Sequence, residues 1–313
     1  MESTTVSSSY IVAMGEPMVE FNQTGEKNGR NFLQGFGGDT SNFAVAAARQ
    51  GARVSYISAL GDDPYGAMLR QMWRDEGIDD SCVVINPSAF TAIYFVTHDT
   101  DGHHFHFFRK DSAASCIKPN DLPEGVIEQA RALHFSGISL AISENARETC
   151  WRAVQRAKDS SVWVSFDTNL RRQLWSIDQA RVSIQQAISL CDICLPSWDD
   201  MTAITGLQDA DAIADQCLSW GAKIVALKMG DQGALIVNAN ERHRIEPVDC
   251  QPVDATGAGD TFGGAFIHRL CEGDDLYSAG VYASTAAAIS TESYGAVEPI
   301  PYTEQVRARI KIK

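Results

Sequence analysis

Two carboxylates bracket a short run of small residues in the segment Asp254-Ala255-Thr256-Gly257-Ala258-Gly259-Asp260. Apolar residues then follow at helical spacing, which predicts a glycine-rich turn leading into a helix from about 258 to 272. Amides at a helix N-terminus point outward and carry partial positive charge, so Ala258, Gly259 and Asp260 would stabilise an anion such as a transferred phosphoryl group. A carboxylate at the edge of that site, Asp260, would accept the proton of an attacking hydroxyl. The simpler alternative is a capped helix without chemistry.

The elements around this segment alternate between short apolar strands and longer helical patterns, which indicates a largely parallel sheet covered by helices. The predicted strands are 10–14, 54–59, 132–136, 162–167, 193–196 and 224–228. The predicted helices are 41–50, 62–77, 144–158, 179–190, 209–220, 258–272 and 275–291.

Two stretches, about 16–36 and 83–110, read as strands without helices between them. They predict a small accessory sheet of the kind that forms a lid over a substrate. We therefore expect one domain over 1–313, with lid strands from these two stretches.

Composition narrows the choice of partners. The formal net charge is −14 and no block of Lys or Arg is present, so we expect no nucleic acid partner. An anionic substrate would then need a few local cationic donors. Scattered cysteines, the lack of a signal peptide at the start and the lack of a long apolar run predict a cytoplasmic protein without a membrane anchor.

Other nucleotide-binding motifs do not fit. The chain has no Gly-Lys dipeptide and therefore lacks the lysine-containing phosphate loop. Gly35-Phe36-Gly37-Gly38-Asp39-Thr40 lacks the third glycine of a dinucleotide fingerprint, which argues against a dehydrogenase.

The segment Asp254 to Asp260 resembles the C-terminal signature of the ribokinase-like (PfkB) carbohydrate kinases. Three further blocks resemble that family in the same order along the chain, namely Gly37 to Asn42, Gly61 to Gly66, and Lys228-Met229-Gly230-Asp231-Gln232-Gly233. The resemblance implies an α/β fold, a three-layer α/β/α sandwich with a small β-sheet lid. It also implies a phosphotransferase that uses ATP and Mg²⁺ to phosphorylate an alcohol group of a sugar.

Roles for individual residues follow from the same resemblance. Asp260 would be the catalytic base, and Gly257, Ala258 and Gly259 the anion hole. The sugar would be bound by Gly37, Gly38, Asp39 and Asn42, and ATP by Lys228, Gly230, Gly233, Gly257 and Gly259. Asp254 and Thr256 would lie near a monovalent cation, K⁺ in particular. Asp200 of Ser197-Trp198-Asp199-Asp200 stands where the family often has a metal-organising Glu.

Three segments resemble the 2-keto-3-deoxygluconate kinases within that family: Gly15 to Glu20, Phe107-Phe108-Arg109, and Asp167-Thr168-Asn169-Leu170-Arg171. That substrate carries a carboxylate, and the planar guanidinium groups of Arg109 and Arg171 match one. Phe107 replaces a tyrosine that is common in that branch, and Tyr94 resembles a substrate contact or else packs the lid.

The resemblance therefore implies phosphorylation of the 6-hydroxyl of 2-keto-3-deoxygluconate. Two alternatives stay open: a fructokinase or another sugar kinase of the same fold, and a sugar-binding regulatory protein without catalysis. A homo-oligomer is also compatible with the sequence.

Overall fold

A computed structural model describes residues 10–24, 29–99 and 102–311. Its strands, β1 to β13 in chain order, are Tyr10–Met14, Met18–Thr24, Asn31–Gly37, Arg53–Gly61, Val83–Asn86, Ile93–Asp99, Gly102–Phe108, Ala132–Ser136, Trp163–Asp167, Ile193–Leu195, Ile224–Lys228, Ala234–Asn238 and Arg242–Ile245. Its α-helices, α1 to α10, are Asp39–Arg49, Pro64–Asp75, Gly137–Ala141, Glu144–Asp159, Ile177–Leu190, Trp198–Thr205, Ala210–Trp220, Ala258–Cys271, Leu276–Ser290 and Thr303–Lys311.

Nine strands form the main sheet in the order β13-β12-β11-β10-β9-β8-β1-β4-β5. Pairing is parallel from β11 to β5, and β12 and β13 join antiparallel at one edge. Alternate residues of β1 face opposite sides of the sheet, so Val12 belongs to one hydrophobic core and Ile11 to the other. Helices cover both faces, which confirms the predicted three-layer α/β/α sandwich.

The second sheet has four strands in the order β3-β2-β6-β7, and we call it the lid. The prediction that the lid includes the whole of 83–110 was wrong at its start, because Val83–Asn86 pairs in parallel with β4 at the edge of the main sheet. Val83 is buried there against the main core, which explains its apolar character without a place in the lid.

The C-terminal region also differs in part from expectation. The helices predicted at 258–272 and 275–291 are present as α8 and α9, but α10 was not predicted. Among its described residues Val306 is buried in the hydrophobic core and Ile310 packs partly buried against it, so the apolar periodicity that marks a helix is weak there.

Close packing of α1 against α8 brings distant parts of the chain together. A Cβ atom on Gly264 would lie 2.5 Å from the carbonyl oxygen of Phe43, so only glycine permits this approach. The contact places Asn42, near the start of α1, beside Asp260, in the first turn of α8. Among the described residues, none of the helices has the length and apolar character needed to cross a membrane.

Candidate active site

A cleft of about 890 Å³ opens between the lid and the carboxyl-terminal edge of the main sheet, where the parallel strands β9, β10 and β11 end. Such an edge is the usual ligand site of parallel α/β sheets. We call Asn42, Asp167, Lys228 and Asp260 the floor of this cleft, because all four line it from the main-sheet side.

Asp260 occupies the third position of α8, directly after a left-handed turn. The helix N-cap is Gly257 with φ of 76°, and a Cβ atom there would lie 2.8 Å from the carbonyl oxygen of Ala296. The amide of Ala258 donates to the carbonyl of Ala255 at 3.2 Å and so closes the turn. The first-turn amides of Gly259 and Asp260 have no acceptor within the helix, which leaves them as the donors for an anion.

Asp260 has an unusual electrostatic environment. Burial, followed by the nearby charges of Asp39 and Asp167, raises the pKa of Asp260 from 3.8 to about 8. The amide of Asn42, which donates to Asp260 Oδ2 at 2.8 Å, and the charge of Lys228 both act in the opposite direction. A carboxylate with a pKa in this range is well matched to accept a proton near neutral pH.

Lys228 ends β11 and reaches across to Asp167 at the end of β9, where its Nζ donates to Oδ2 at 2.5 Å. Burial disfavours the charged lysine, but Asp167 outweighs this and the pKa of Lys228 is raised. A Cβ atom on Gly259 would lie 3.3 Å from Lys228 Nζ, so the missing side chain lets the ammonium group approach the start of α8. The floor therefore combines a base with a nearby fixed positive charge.

Buried acceptors without hydrogen-bond partners lie next to the floor. Asn169 donates its amide to Asp39 Oδ2 at 2.8 Å, but Asp39 Oδ1 and Asn42 Oδ1 find no partner among the described residues. Buried polar atoms are normally satisfied, so these oxygens call for donors from a ligand. A molecule with several hydroxyl groups supplies such donors.

The lid contributes a largely aromatic wall to the cleft. Its cleft-lining residues are Met18, Tyr94, Phe105 and Phe107, and Arg109 lines the cleft directly after the last lid strand. Gly37, predicted to bind sugar, does not line the cleft; a Cβ atom there would lie 2.4 Å from the Tyr94 hydroxyl, so this glycine makes room for Tyr94.

Arg109 forms an ion pair with Glu16, which is buried and also accepts from the Ser112 hydroxyl at 3.2 Å. Arg109 Nε is buried and has no acceptor among the described residues. Arg171 also lines the cleft, is exposed, and donates to the carbonyl of Leu170 at 3.0 Å. Both predicted arginines therefore reach the same cleft as Asp260, although the charge of Arg109 is already balanced.

The nucleotide residues predicted by resemblance separate into two groups. Gly230, Gly257 and Gly259 line the cleft together with Lys228. Gly233 does not line it; its φ is 82° and a Cβ atom would lie 2.1 Å from the carbonyl oxygen of Ile245, which makes it a requirement of the turn between β11 and β12.

The predicted metal residues also differ from one another. Asp200 lines the cleft and accepts from the Thr168 hydroxyl at 2.9 Å and from the Leu170 amide at 3.1 Å. Asp254 lies behind the cleft and accepts from Thr256 and from the amide of Gly295, so it organises the loop before α8. Within the described ranges, no cluster of three His, Cys, Asp or Glu residues is arranged to hold a metal ion by itself.

Most of the predicted site residues therefore lie together around one cleft. The exceptions are Gly37, Gly233, Asp254 and Ala258, which shape the backbone behind it. Sequence reasoning gave no role to Glu16, Asp167 and Asn169, which line the cleft. Asp167 is the last residue of a predicted strand and Asn169 follows it, and that position was the available signal for a polar site.

Comparison with known proteins identifies the family of the chain. Residues 8–303 match the family model of pfkB family carbohydrate kinases. The chain is 32% identical over 316 residues to fructokinase-1 of Oryza sativa subsp. japonica, covering 96% of this chain and 97% of that protein. It is 30% identical to 2-dehydro-3-deoxygluconokinase of Thermoproteus tenax, covering 96% of this chain and 94% of that protein.

A solved structure supports the fold. An E. coli protein described as a ribokinase II, in complex with ATP and Mg²⁺, superposes with a TM-score of 0.89 at 26% identity, covering 97% of this chain and 100% of the other. The cleft holds a first-turn carboxylate with unsatisfied acceptors beside it. The chain therefore belongs to the pfkB family of carbohydrate kinases, enzymes that transfer a phosphoryl group to a sugar hydroxyl.

Proposed function

We propose that this chain transfers the γ-phosphoryl group of ATP to the 6-hydroxyl of 2-keto-3-deoxygluconate, with Asp260 as the catalytic base. The observation that carries the proposal is the position of Asp260. Its carboxyl group has a pKa of about 8 and lies in the first turn of α8. It shares the cleft with acceptor oxygens of Asp39 and Asn42 that have no donor among the described residues.

The floor accounts for the chemical step. Asp260 takes the proton of the sugar hydroxyl while the oxygen of that hydroxyl bonds to the γ-phosphorus. The bond from that phosphorus to the leaving ADP oxygen breaks. Negative charge on the transferred group is stabilised by the first-turn amides of Gly259 and Asp260 and by the ammonium group of Lys228. Asn42 holds the carboxyl of Asp260 by its 2.8 Å hydrogen bond.

ATP would lie along Lys228, Gly230, Thr256, Gly257 and Gly259, which form the side of the cleft away from the lid. Magnesium, when bound with ATP, would neutralise phosphate charge. Asp200 is a carboxylate on that side which could hold it through water. Potassium beside Asp254 and Thr256 remains a prediction from the sequence; in the structure Asp254 accepts hydrogen bonds from Thr256 and from the amide of Gly295.

The choice of a sugar acid rests on the two arginines. Arg109 and Arg171 line the cleft, and Arg109 Nε is a buried donor without an acceptor in the part of the chain that the structure describes. A substrate carboxylate would accept from that donor, and a charge-assisted hydrogen bond of this kind is among the stronger ones. The relative from Thermoproteus tenax carries the name of this activity.

Fructose is the second candidate acceptor, and two observations favour it. Glu16 already balances the charge of Arg109, so the lid offers less net positive charge to an anion than its sequence suggests. Fructokinase-1 of Oryza sativa is also a relative over nearly the whole chain. Both candidate sugars would present a primary hydroxyl to Asp260. They differ in the group that would lie near Arg109 and Arg171, which is a carboxylate only in the sugar acid.

A coupled assay of ADP release across neutral and acidic sugars separates the candidates. We expect turnover with 2-keto-3-deoxygluconate at a higher kcat/KM than with fructose, ribose or gluconate. A preference for fructose would replace the acid by the neutral sugar within the same mechanism. Absence of ATP-dependent turnover with every sugar, together with sugar binding, would instead support a regulatory protein. A cytoplasmic location goes with this proposal because ATP is required and the eight cysteines are free.

A further inference from the structure

Glu20 is a buried carboxyl group in the centre of the lid that does not itself line the cleft. It lies on β2, opposite Gly35 of β3 on one side and opposite Tyr94 of β6 on the other. Directly paired residues in neighbouring strands project to the same face of a sheet. Glu20 therefore lies on the cleft-facing side of the lid beside Tyr94, and only 4% of it is exposed.

Two glycines of β3 create the space for this pair. A Cβ atom on Gly35 would lie 3.3 Å from Glu20 Oε1, and one on Gly37 would lie 2.4 Å from the Tyr94 hydroxyl. Glycine is unfavourable within a strand because it adds flexibility and packs no side chain. One of these glycines leaves room for Glu20 and the other for the Tyr94 hydroxyl. We infer that β3 has glycines at both positions because the hydrogen bond between Glu20 and Tyr94 needs the space.

The hydrogen bond determines what Tyr94 offers to the cleft. The Tyr94 hydroxyl donates to Glu20 Oε2 at 2.5 Å. Burial, followed by the charge of Glu20, raises the pKa of Tyr94 well above 10, so the phenol keeps its proton. A phenol has a single O–H group. When that group donates its hydrogen bond to Glu20, the phenol oxygen has only lone pairs left for another partner.

We propose that Glu20 is a positioning residue that makes Tyr94 a hydrogen-bond acceptor toward the substrate, so that the lid selects a sugar with a hydroxyl donor at that point. This inference rests on the proposed sugar kinase function. It also places the carboxylate of a sugar acid away from Tyr94, because two acceptors facing each other repel. The acid end would then lie toward Arg109 and Arg171, the cationic side chains of the same cleft.

The test compares wild type, Glu20→Leu, Tyr94→Phe and the double variant on the sugar that the enzyme phosphorylates and on its monodeoxy analogues. For wild type we expect one analogue to lose about tenfold in kcat/KM, the effect of one missing hydrogen bond. In Tyr94→Phe and in Glu20→Leu that loss should shrink to about twofold or less. The double variant should be no worse than Tyr94→Phe alone, because both substitutions remove the same interaction.

Two further variants separate orientation from general damage to the lid. Glu20→Gln keeps an acceptor for the phenol and should restore part of the discrimination. Thr97→Val removes a hydrogen bond to His106 in the neighbouring strand, and it should leave discrimination as in wild type. The melting temperature of each variant shows whether it folds, and the KM for ATP should not change.

The outcomes distinguish the two proposals. If wild type phosphorylates a sugar but Glu20→Leu keeps the full tenfold loss, or if the two substitutions are additive, the role of Glu20 is wrong and the kinase function stands. If wild type phosphorylates no sugar, the proposed function is wrong and the role of Glu20 falls with it.

Discussion

The floor of the cleft and the lid above it use ionisable groups in opposite ways. On the floor, the carboxyl groups of Asp167 and Asp260 are crowded together with that of the adjacent Asp39, and the resulting repulsion helps to raise the pKa of Asp260 to about 8. In the lid region burial also raises the pKa of Glu16 and of Glu20, but each of these carboxyls has a partner of its own: Glu16 pairs with Arg109, and Glu20 accepts from Tyr94. Crowded carboxyl groups raise the pKa of the base, whereas paired carboxyl groups fix the positions of their partners.

This difference indicates where catalysis and recognition reside. A perturbed carboxyl group gains a function when it takes up and releases a proton during the reaction. A paired group instead orients its neighbour and reduces the net charge that a substrate meets. We therefore expect substitutions on the floor to act on kcat and substitutions in the lid to act on KM and on the choice of sugar.

The largest effect is expected on the floor. Asp260→Asn keeps the size of the side chain but removes the base, so kcat should fall by roughly 10²-fold or more. Sugar binding, measured by calorimetry, should persist. Asp159→Asn, at the exposed end of α4, is the matched control and should leave kcat unchanged. Turnover of Asp260→Asn near the wild-type value would contradict the role of the floor.

A smaller effect, on KM, is expected for the lid. Arg109→Ala removes a donor whose Nε has no acceptor among the residues that the structure describes, and it should raise KM for 2-keto-3-deoxygluconate about tenfold. Fructose carries no carboxylate, so its KM should change by about twofold or less. Lys110→Ala, the exposed neighbour, serves as the control. Equal effects on both sugars would remove the reason for an acid substrate and leave Arg109 as a partner of Glu16.

The smallest effect concerns stability. Because the folded protein holds Asp260 with a pKa of about 8 against an ordinary 3.8, this group costs stability as the pH rises from about 4 to 8. Asp260→Asn should remove that cost. The free energy of unfolding should therefore rise at pH 8 and rise less at pH 5. Denaturant titrations at both pH values measure the difference. If Asp260→Asn were less stable than wild type at pH 8, the claim that burial and neighbouring carboxyl groups raise the pKa of Asp260 would be contradicted.

The same contrast explains how much the sequence could predict. The floor follows from local patterns: a glycine-rich turn before an apolar helix predicts a first-turn carboxylate, and strand ends predict polar residues at one sheet edge. The α/β/α sandwich was predictable for the same reason, since strands and helices alternate. Asn42 and Asp260 meet through the packing of α1 on α8, and here only the family resemblance indicated their proximity.

The lid was less predictable because its contacts depend on strand register. The bond from Tyr94 to Glu20 joins residues 74 positions apart, and no local pattern indicates it. Gly37 was interpreted as a sugar contact, and the space that it leaves for the Tyr94 hydroxyl is a second reason for a glycine there that the sequence did not indicate. The range 83–110 also began too early, because a strand pattern does not reveal which sheet the strand joins.

The pH dependence of kcat/KM for the sugar tests the account most directly, since this quantity reports the base in the free enzyme. As Asp260 must be deprotonated to accept a proton, kcat/KM should rise with pH and level off above a pKa of about 8. The residual activity of Asp260→Asn should lack this rise. A profile that is flat across neutral pH, or that levels off at the ordinary aspartate pKa of 3.8, would contradict a base prepared by burial and crowded charge.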